Sequence, residues 1–258
     1  MSANKPVRAF VELLARAEAG PASTNFFDHS DAGNALRRRN LELYLLQMLE
    51  RRPSVLLVGE APGYRGMRMT GVPFSNPAII EGRVDPFGLF GSGKGYVLPP
   101  DAGTVAAEPT ATVMWDVLAE LDFLPLLWSA YPLHPHQPGR PLSNRTPSTA
   151  EIRAGLPLWQ ELARIFGIGN VVAVGNIGHR SVLASGRSAP KVRHPAHGGK
   201  VKFREGLRAL LAAGIDGPAA RPPTRSTAES QGDGESAVPP SSYLPGRTGR
   251  PDSSAPWR

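Results

Sequence analysis

The sequence predicts an α/β fold built on a parallel sheet with helices on both faces, and three observations predict it. Three short apolar runs, at residues 55–58, 126–131 and 170–174, and a short fourth strand-like run at 191–193 are separated by longer segments with helical spacing. Each run stops at a turn signal: Gly59, Pro132, Gly175 and the pair His194-Pro195. Strands that alternate with helices form parallel sheets covered on both sides, because each crossover is a helix packed back onto the sheet. Strand ends that share a direction line up Gly59, residues 129–132, Gly175 and His194 along one edge, where open α/β sheets hold their sites.

The elements follow in order. Residues 7–17 carry Phe10, Leu13 and Leu14 at helical spacing, and residues 34–50 carry Leu41, Tyr44, Leu45, Met48 and Leu49 on one face. Residues 79–110 are rich in Gly and Pro and read as irregular. Residues 111–120 form a helix with Met114, Trp115 and Leu118 inward, and residues 132–147 form a loop of Pro, His and Asn. Ser148-Thr149-Ala150-Glu151 fits a capping box that opens a helix running to about Phe166. Two more helices are expected at 176–184 and 201–212. These elements make one domain over residues 1–216, with helices at 5–50 and a core at 52–213. Residues 217–258, rich in Pro, Ser, Gly and Thr with no hydrophobic period, read as a disordered tail.

Bulk properties exclude several classes. The 258 residues contain no cysteine, so disulfides and thiolate-held zinc or iron–sulfur clusters are ruled out. No apolar run approaches the roughly 18–20 residues that a membrane-crossing helix needs. The first residues lack the apolar stretch of a signal peptide. A soluble, cytoplasmic protein is expected. The formal net charge is +7 and the pI about 10.1. Residues 221–258 hold five Arg against four acids, so nearly all of the excess precedes the tail. A basic domain suits a polyanionic partner, since neutralised phosphates release counterions.

The most informative stretch is Val55-Leu56-Leu57-Val58-Gly59-Glu60-Ala61-Pro62-Gly63, a buried-type strand that stops at a Pro/Gly turn carrying one carboxylate. Thr70-Gly71-Val72-Pro73-Phe74 follows, and His194-Pro195 lies far downstream. Together these motifs resemble the uracil-DNA glycosylase superfamily, in its Gly-Glu-Ala-Pro-Gly branch, over residues 52–211. The resemblance implies a three-layer α/β/α sandwich with a central four-stranded parallel sheet. It also implies cleavage of the N-glycosidic bond of uracil in DNA. Many members of that branch hold an iron–sulfur cluster, so this chain resembles a cluster-free relative. No cofactor or metal is expected. The expected partner is uracil-containing DNA, single- or double-stranded, bound by a monomer that touches no membrane.

Breaking the glycosidic bond builds positive charge on the sugar and negative charge on the departing base, so the site needs a donor, a carboxylate and a flat wall. By the resemblance, His194 is the donor and Glu60 the carboxylate. Glu60 either orients water, stabilises the cationic sugar, or caps the N–H groups of its own loop. Phe74 is the wall on which the extruded base stacks. The backbone N–H of Ala61 is a candidate for the base carbonyl. Gly63 stands where relatives place a Tyr that excludes thymine, and Tyr64 is the neighbour that could swing in. Ser129 departs from the family's Asn at the end of the second strand. A hydroxyl offers one donor where an amide pairs with two groups of uracil, so either specificity is looser or another residue, Asn144 or Asn76, reads the base. Asn144, Arg145, His197 and Lys200 are candidate DNA contacts. His134-Pro135-His136 supplies two imidazoles, too few for a metal site without a third ligand. Gly88 to Gly95 matches G-x-x-x-x-G-K, yet lacks the following Ser or Thr and a preceding strand. It reads as a flexible loop over or near the pocket. Two alternatives are a slow or inactive binder of uracil or abasic DNA, and a glycosylase preferring another damaged base.

Overall fold

The computed structural model describes residues 4–100, 109–188 and 190–217. The expected tail beyond Gly217 lies outside the described residues.

The chain opens with helix α1 (Asn4–Ala15), which buries Val7, Phe10, Val11 and Leu14. Leu13, expected on this face, is 49% exposed. Phe10 and Leu14 lie one turn apart and fix the buried stripe; Val7 and Val11 extend it, and Leu13 falls off its side. A two-residue strand β1 (Ser23–Thr24) follows. Helix α2 (Ala32–Arg51) is capped by Asp31, whose carboxylate accepts from the N–H groups of Gly33 and Asn34. It buries Leu41, Tyr44, Leu45 and Met48 and ends at Arg52 in the left-handed region.

The central sheet has four strands: β2 (Val55–Gly59), β3 (Leu126–Ser129), β5 (Asn170–Val174) and β6 (Lys191–Val192). Their order is β3-β2-β5-β6, and all neighbours are parallel. Every residue of β2 and β3 is buried, as expected of a strand covered on both faces. The register pairs Gly59 with Ser129, so the turn after β2 and the end of β3 emerge side by side.

The flanking helices are α5 (Pro109–Glu120), α6 (Thr149–Phe166), α7 (Gly175–Ala184) and α8 (Lys200–Ala212), with single turns α3 (Met67–Thr70) and α4 (Pro77–Ile80) after β2. The Ser148–Glu151 capping box forms in both directions. Helix α7 packs tightly on the sheet: a Cβ on Gly178 would stand 2.1 Å from the carbonyl oxygen of Val58. Helices α1, α6 and α7 contact one another in series, and α5 packs on α8.

Two features differ from expectation. Strand β4 (His134–Pro135) pairs antiparallel with β1, forming a small second sheet inside what reads as loop. Two-residue strands, one containing Pro, leave no periodic signal. The segment around Gly88–Gly95 is packed against the core. Asp85 accepts from the N–H groups of Leu89 and Phe90, and Phe90 meets Trp115 edge-on at 5.2 Å. Its only regular turn, Ser92–Lys94, is a 3-10 turn, and none of residues 88–95 lines the pocket described below.

Candidate active site

Beyond Gly59 the ladder to β3 continues. Ala130 donates its N–H to Gly59 O at 3.0 Å, and Tyr131 donates to Glu60 O at 3.1 Å. The turn bearing Glu60 and Ala61 is therefore anchored to the sheet. From there the chain runs into a compact turn in which the Thr70 and Ser75 hydroxyls meet at 2.6 Å and Ser75 Oγ donates to Val72 O.

That turn delivers Phe74. Its backbone is in the left-handed region, φ 48, which a bulky residue adopts at a cost of about 1–3 kcal/mol. The indole N–H of Trp115 donates to Phe74 O at 2.9 Å and holds the conformation. The ring lies directly over the end of β2: a Cβ on Gly59 would stand 2.3 Å from Phe74 Cζ. Only glycine at 59 leaves room for this wall.

His194 comes from the end of β6. Gly175, at φ +78, leaves the space beside it; a Cβ there would stand 3.1 Å from His194 Cβ. The Ala196 N–H donates to His194 Nδ1 at 3.2 Å. Accepting at Nδ1 puts the ring proton on Nε2 in the neutral tautomer. Burial lowers the imidazole pKa from 6.5 to about 4, with help from Arg193 and His197. At neutral pH His194 is thus an uncharged ring with one free N–H to give. Glu60 is half-buried, and burial raises its carboxyl above the usual range, partly offset by a hydrogen bond with Thr146.

These groups meet in one pocket of about 340 Å³, at the lower end of the range for small-molecule sites. Glu60, Ala61, Gly63, Phe74, Ser129, Asn144, Arg145, His194 and His197 all line it, and Ser129 is nearly fully buried. His197 is exposed, with φ 53. Met67, Ser75, Thr110 and Thr146 also line it and were not anticipated. Thr146 alone had a legible clue, its place beside Asn144-Arg145.

Other expected residues lie elsewhere or are otherwise engaged. Tyr64 is not among the lining residues; its N–H donates to Asn144 Oδ1 at 3.0 Å, and its ring lies 5.1 Å from the Arg65 guanidinium. Lys200 is outside the pocket, 3.2 Å from Asp116 and 3.7 Å from Glu120. Arg145 lines the pocket but is spent on structure. Its guanidinium grips Glu151 through two bonds of 2.8 Å and also donates to Ala22 O and His136 O. The paired Arg145 pulls the Glu151 carboxyl down to about 2. Asn76 caps α4 through the N–H of Ile79.

The two imidazoles of the Pro-rich loop are buried away from the pocket. His134 places Nδ1 2.8 Å from Pro62 O and Nε2 3.1 Å from Pro141 O. Its burial lowers its pKa. His136 Nδ1 lies 3.0 Å from Gln137 O. Among the described residues no group of three His, Cys, Asp or Glu side chains could hold a metal ion.

Residues 47–215 match the family described as Uracil DNA glycosylase superfamily. The chain belongs to the uracil-DNA glycosylase superfamily. Membership of the superfamily supports a DNA glycosylase, a hydrolase that acts on DNA. The fold is also that of wild-type SMUG2 of Pedobacter heparinus, with a TM-score of 0.54 at 13% identity, covering 83% of this chain and 98% of that one. At that identity the likeness is one of fold. No curated protein matches the chain by sequence. No helix among the described residues is long and apolar enough to cross a membrane.

Proposed function

We propose that this superfamily member excises uracil from DNA, releasing the free base and leaving an abasic site. The observation that carries the reading is the pairing of a neutral His194, its Nδ1 occupied, with the Glu60 carboxylate and the Phe74 ring around one pocket.

The chemistry follows from charge. The extruded base stacks on Phe74, worth about 1–3 kcal/mol without regard to sequence. The C1′–N1 bond breaks, and its electron pair passes to the base, where O2 gains negative charge. His194 Nε2–H donates to that oxygen. A neutral donor fixed in place stabilises the developing charge without reorganisation, typically by about 3–4 kcal/mol. Glu60, once ionised, faces the cationic sugar and orients a water. The water oxygen bonds to C1′ and its proton leaves through the carboxylate to solvent. The raised pKa makes Glu60 a better proton acceptor than a solvated carboxylate. No metal or cofactor enters these steps.

A second reading has specific support. Ser129 supplies one hydroxyl where the family has an amide, and Ala61 follows Glu60 where an Asp usually activates water. A slow or inactive binder of uracil or abasic DNA fits those departures. Single- and double-stranded oligonucleotides carrying one uracil separate the readings. The hydrolase gives alkali-labile sites at uracil that disappear in H194A. Intact strands retained tightly in a shift gel favour the binder. Neither cleavage nor retention overturns both.

A further inference from the structure

We propose that Leu142 is a wedge that enters the base stack of duplex DNA beside the extruded nucleotide. The inference rests on the glycosylase reading and names the form of DNA that the site engages.

A lone exposed leucine is ordinary on a protein surface. Three observations set this one apart. Leu142 is 64% exposed, more than any other large apolar residue among the described residues, and its side chain stands outside the core. It lies two residues before Asn144, which lines the pocket, so at most about 7 Å of chain separates it from the site. Its backbone is also held on both sides, although its side chain is bare.

The hold comes from short bonds within the loop. Gln137 pairs across a tight turn with Arg140, whose N–H donates to Gln137 O at 2.9 Å. Ser143 donates its N–H at 3.1 Å and its hydroxyl at 2.7 Å to Arg140 O. Its Oγ in turn accepts the N–H of Gln137 at 2.9 Å. Pro138 and Pro141 restrict φ on the way. The loop is then tied to the body of the protein: His134 Nε2 lies 3.1 Å from Pro141 O, and Arg145 donates its N–H to Pro135 O at 3.2 Å. A side chain presented on so fixed a support is preorganised, and little ordering is left for binding to bring about.

Extruding a nucleotide from a duplex breaks stacking and pairing and leaves a gap. An apolar side chain inserted at the base step offsets that cost, because it fills the gap and keeps the base from returning. The isobutyl group of Leu142 also leaves water when it enters the stack, which favours insertion. Arg140, exposed on the same turn, brings a cation to the phosphates on that side. A single strand has little stack to break, so the wedge matters for the duplex alone.

Duplex and single-stranded oligonucleotides carrying one uracil test the wedge in wild type, L142A and L142M. L142A should lose about 10- to 100-fold in kcat/KM on the duplex and stay within about 3-fold of wild type on the single strand. L142M, long and apolar, should recover most of the loss, and neither change should move the melting temperature. A 2-aminopurine beside a 2′-fluorinated uracil nucleotide, whose fluorine resists cleavage by destabilising the cationic sugar, reads unstacking by fluorescence. Wild type should brighten it and L142A should not. Equal loss on both forms of DNA, no loss on either, or an unchanged fluorescence rise in L142A overturns the inference and leaves the hydrolase reading intact. If wild type excises no uracil, the hydrolase reading fails and the fluorescence alone decides. A rise that needs Leu142 then supports the wedge; a rise without it, or none, overturns it. Wild type that leaves duplex DNA both uncut and unbound also overturns it.

Discussion

Two histidines of the chain are followed by proline, His134 buried and His194 half-buried, and they stand in opposite relations to the pocket. His194-Pro195 gives one ring nitrogen to a backbone N–H and leaves the other for a ligand. His134-Pro135 has both nitrogens against backbone carbonyls and lies outside the pocket lining. A neutral imidazole carries one N–H, so His134 serves those carbonyls one at a time. Both rings are kept neutral by burial. The difference lies in what the first nitrogen meets. A donor facing Nδ1 puts the ring proton on Nε2 and leaves it facing away from the backbone, whereas acceptors on both sides consume the ring in structure. The dipeptide alone does not distinguish these cases; the strand end beside Gly175 does.

Three experiments bear on that contrast, from the largest expected effect to the smallest. The H194A variant should lower kcat on uracil DNA by about 100- to 1,000-fold, with KM and fold little changed; single-turnover kinetics give the number. An H134A variant that did as much damage to kcat, at full stability, would erase the distinction.

The second concerns acid stability. His194 titrates at 6.5 when unfolded and at about 4 when folded. A depressed pKa contributes stability that is complete above the unfolded value and is lost as pH falls towards the folded one. The protein should therefore lose about 3 kcal/mol between those two pH values from this residue alone. His134 acts with the same sign, since its pKa is also lowered. Denaturant titrations at several pH values should show a shallower decline in H194N and a shallower one still when His134 is replaced as well. A decline unchanged in H194N would show that His194 is not held neutral by the fold.

The third is the converse of the first. H134A leaves the Pro62 and Pro141 carbonyls without their shared partner and should cost about 2 kcal/mol, or roughly 4–8 °C in Tm. Its kcat should fall less than that of H194A, because no reacting atom loses a contact.

Much of the fold was legible because the strands are buried on both faces and end at glycine or proline. Residues 170–174 read cleanly for that reason, and the Ser148 cap did because its box with Glu151 is local in sequence. The same logic brought Glu60, Ser129 and His194 to one edge, as strand ends must be in a parallel sheet, whereas Phe74 was placed by the family resemblance and is carried there by the turn after α3. What remained hidden depends on partners distant in sequence. Lys200 looks like a free cation until Asp116 and Glu120 on α5 reach it. Arg145 looks like a phosphate contact until Glu151 folds back from the helix cap. Thr146 gains a role only when its loop lies over Glu60. Leu13 was misplaced because Leu14 and Val11 compete for the same stripe on a short helix.

The missing methyl at residue 59 has a consequence for anyone altering this enzyme. Phe74 occupies the volume that any other residue at 59 would fill, so the two positions behave as one unit of inheritance. A G59A change would push the ring off its seat and deform the recess before a nucleotide ever arrived. Libraries that vary the aromatic at 74 to admit larger bases should therefore hold 59 constant, since its emptiness is the mould in which the recess is cast.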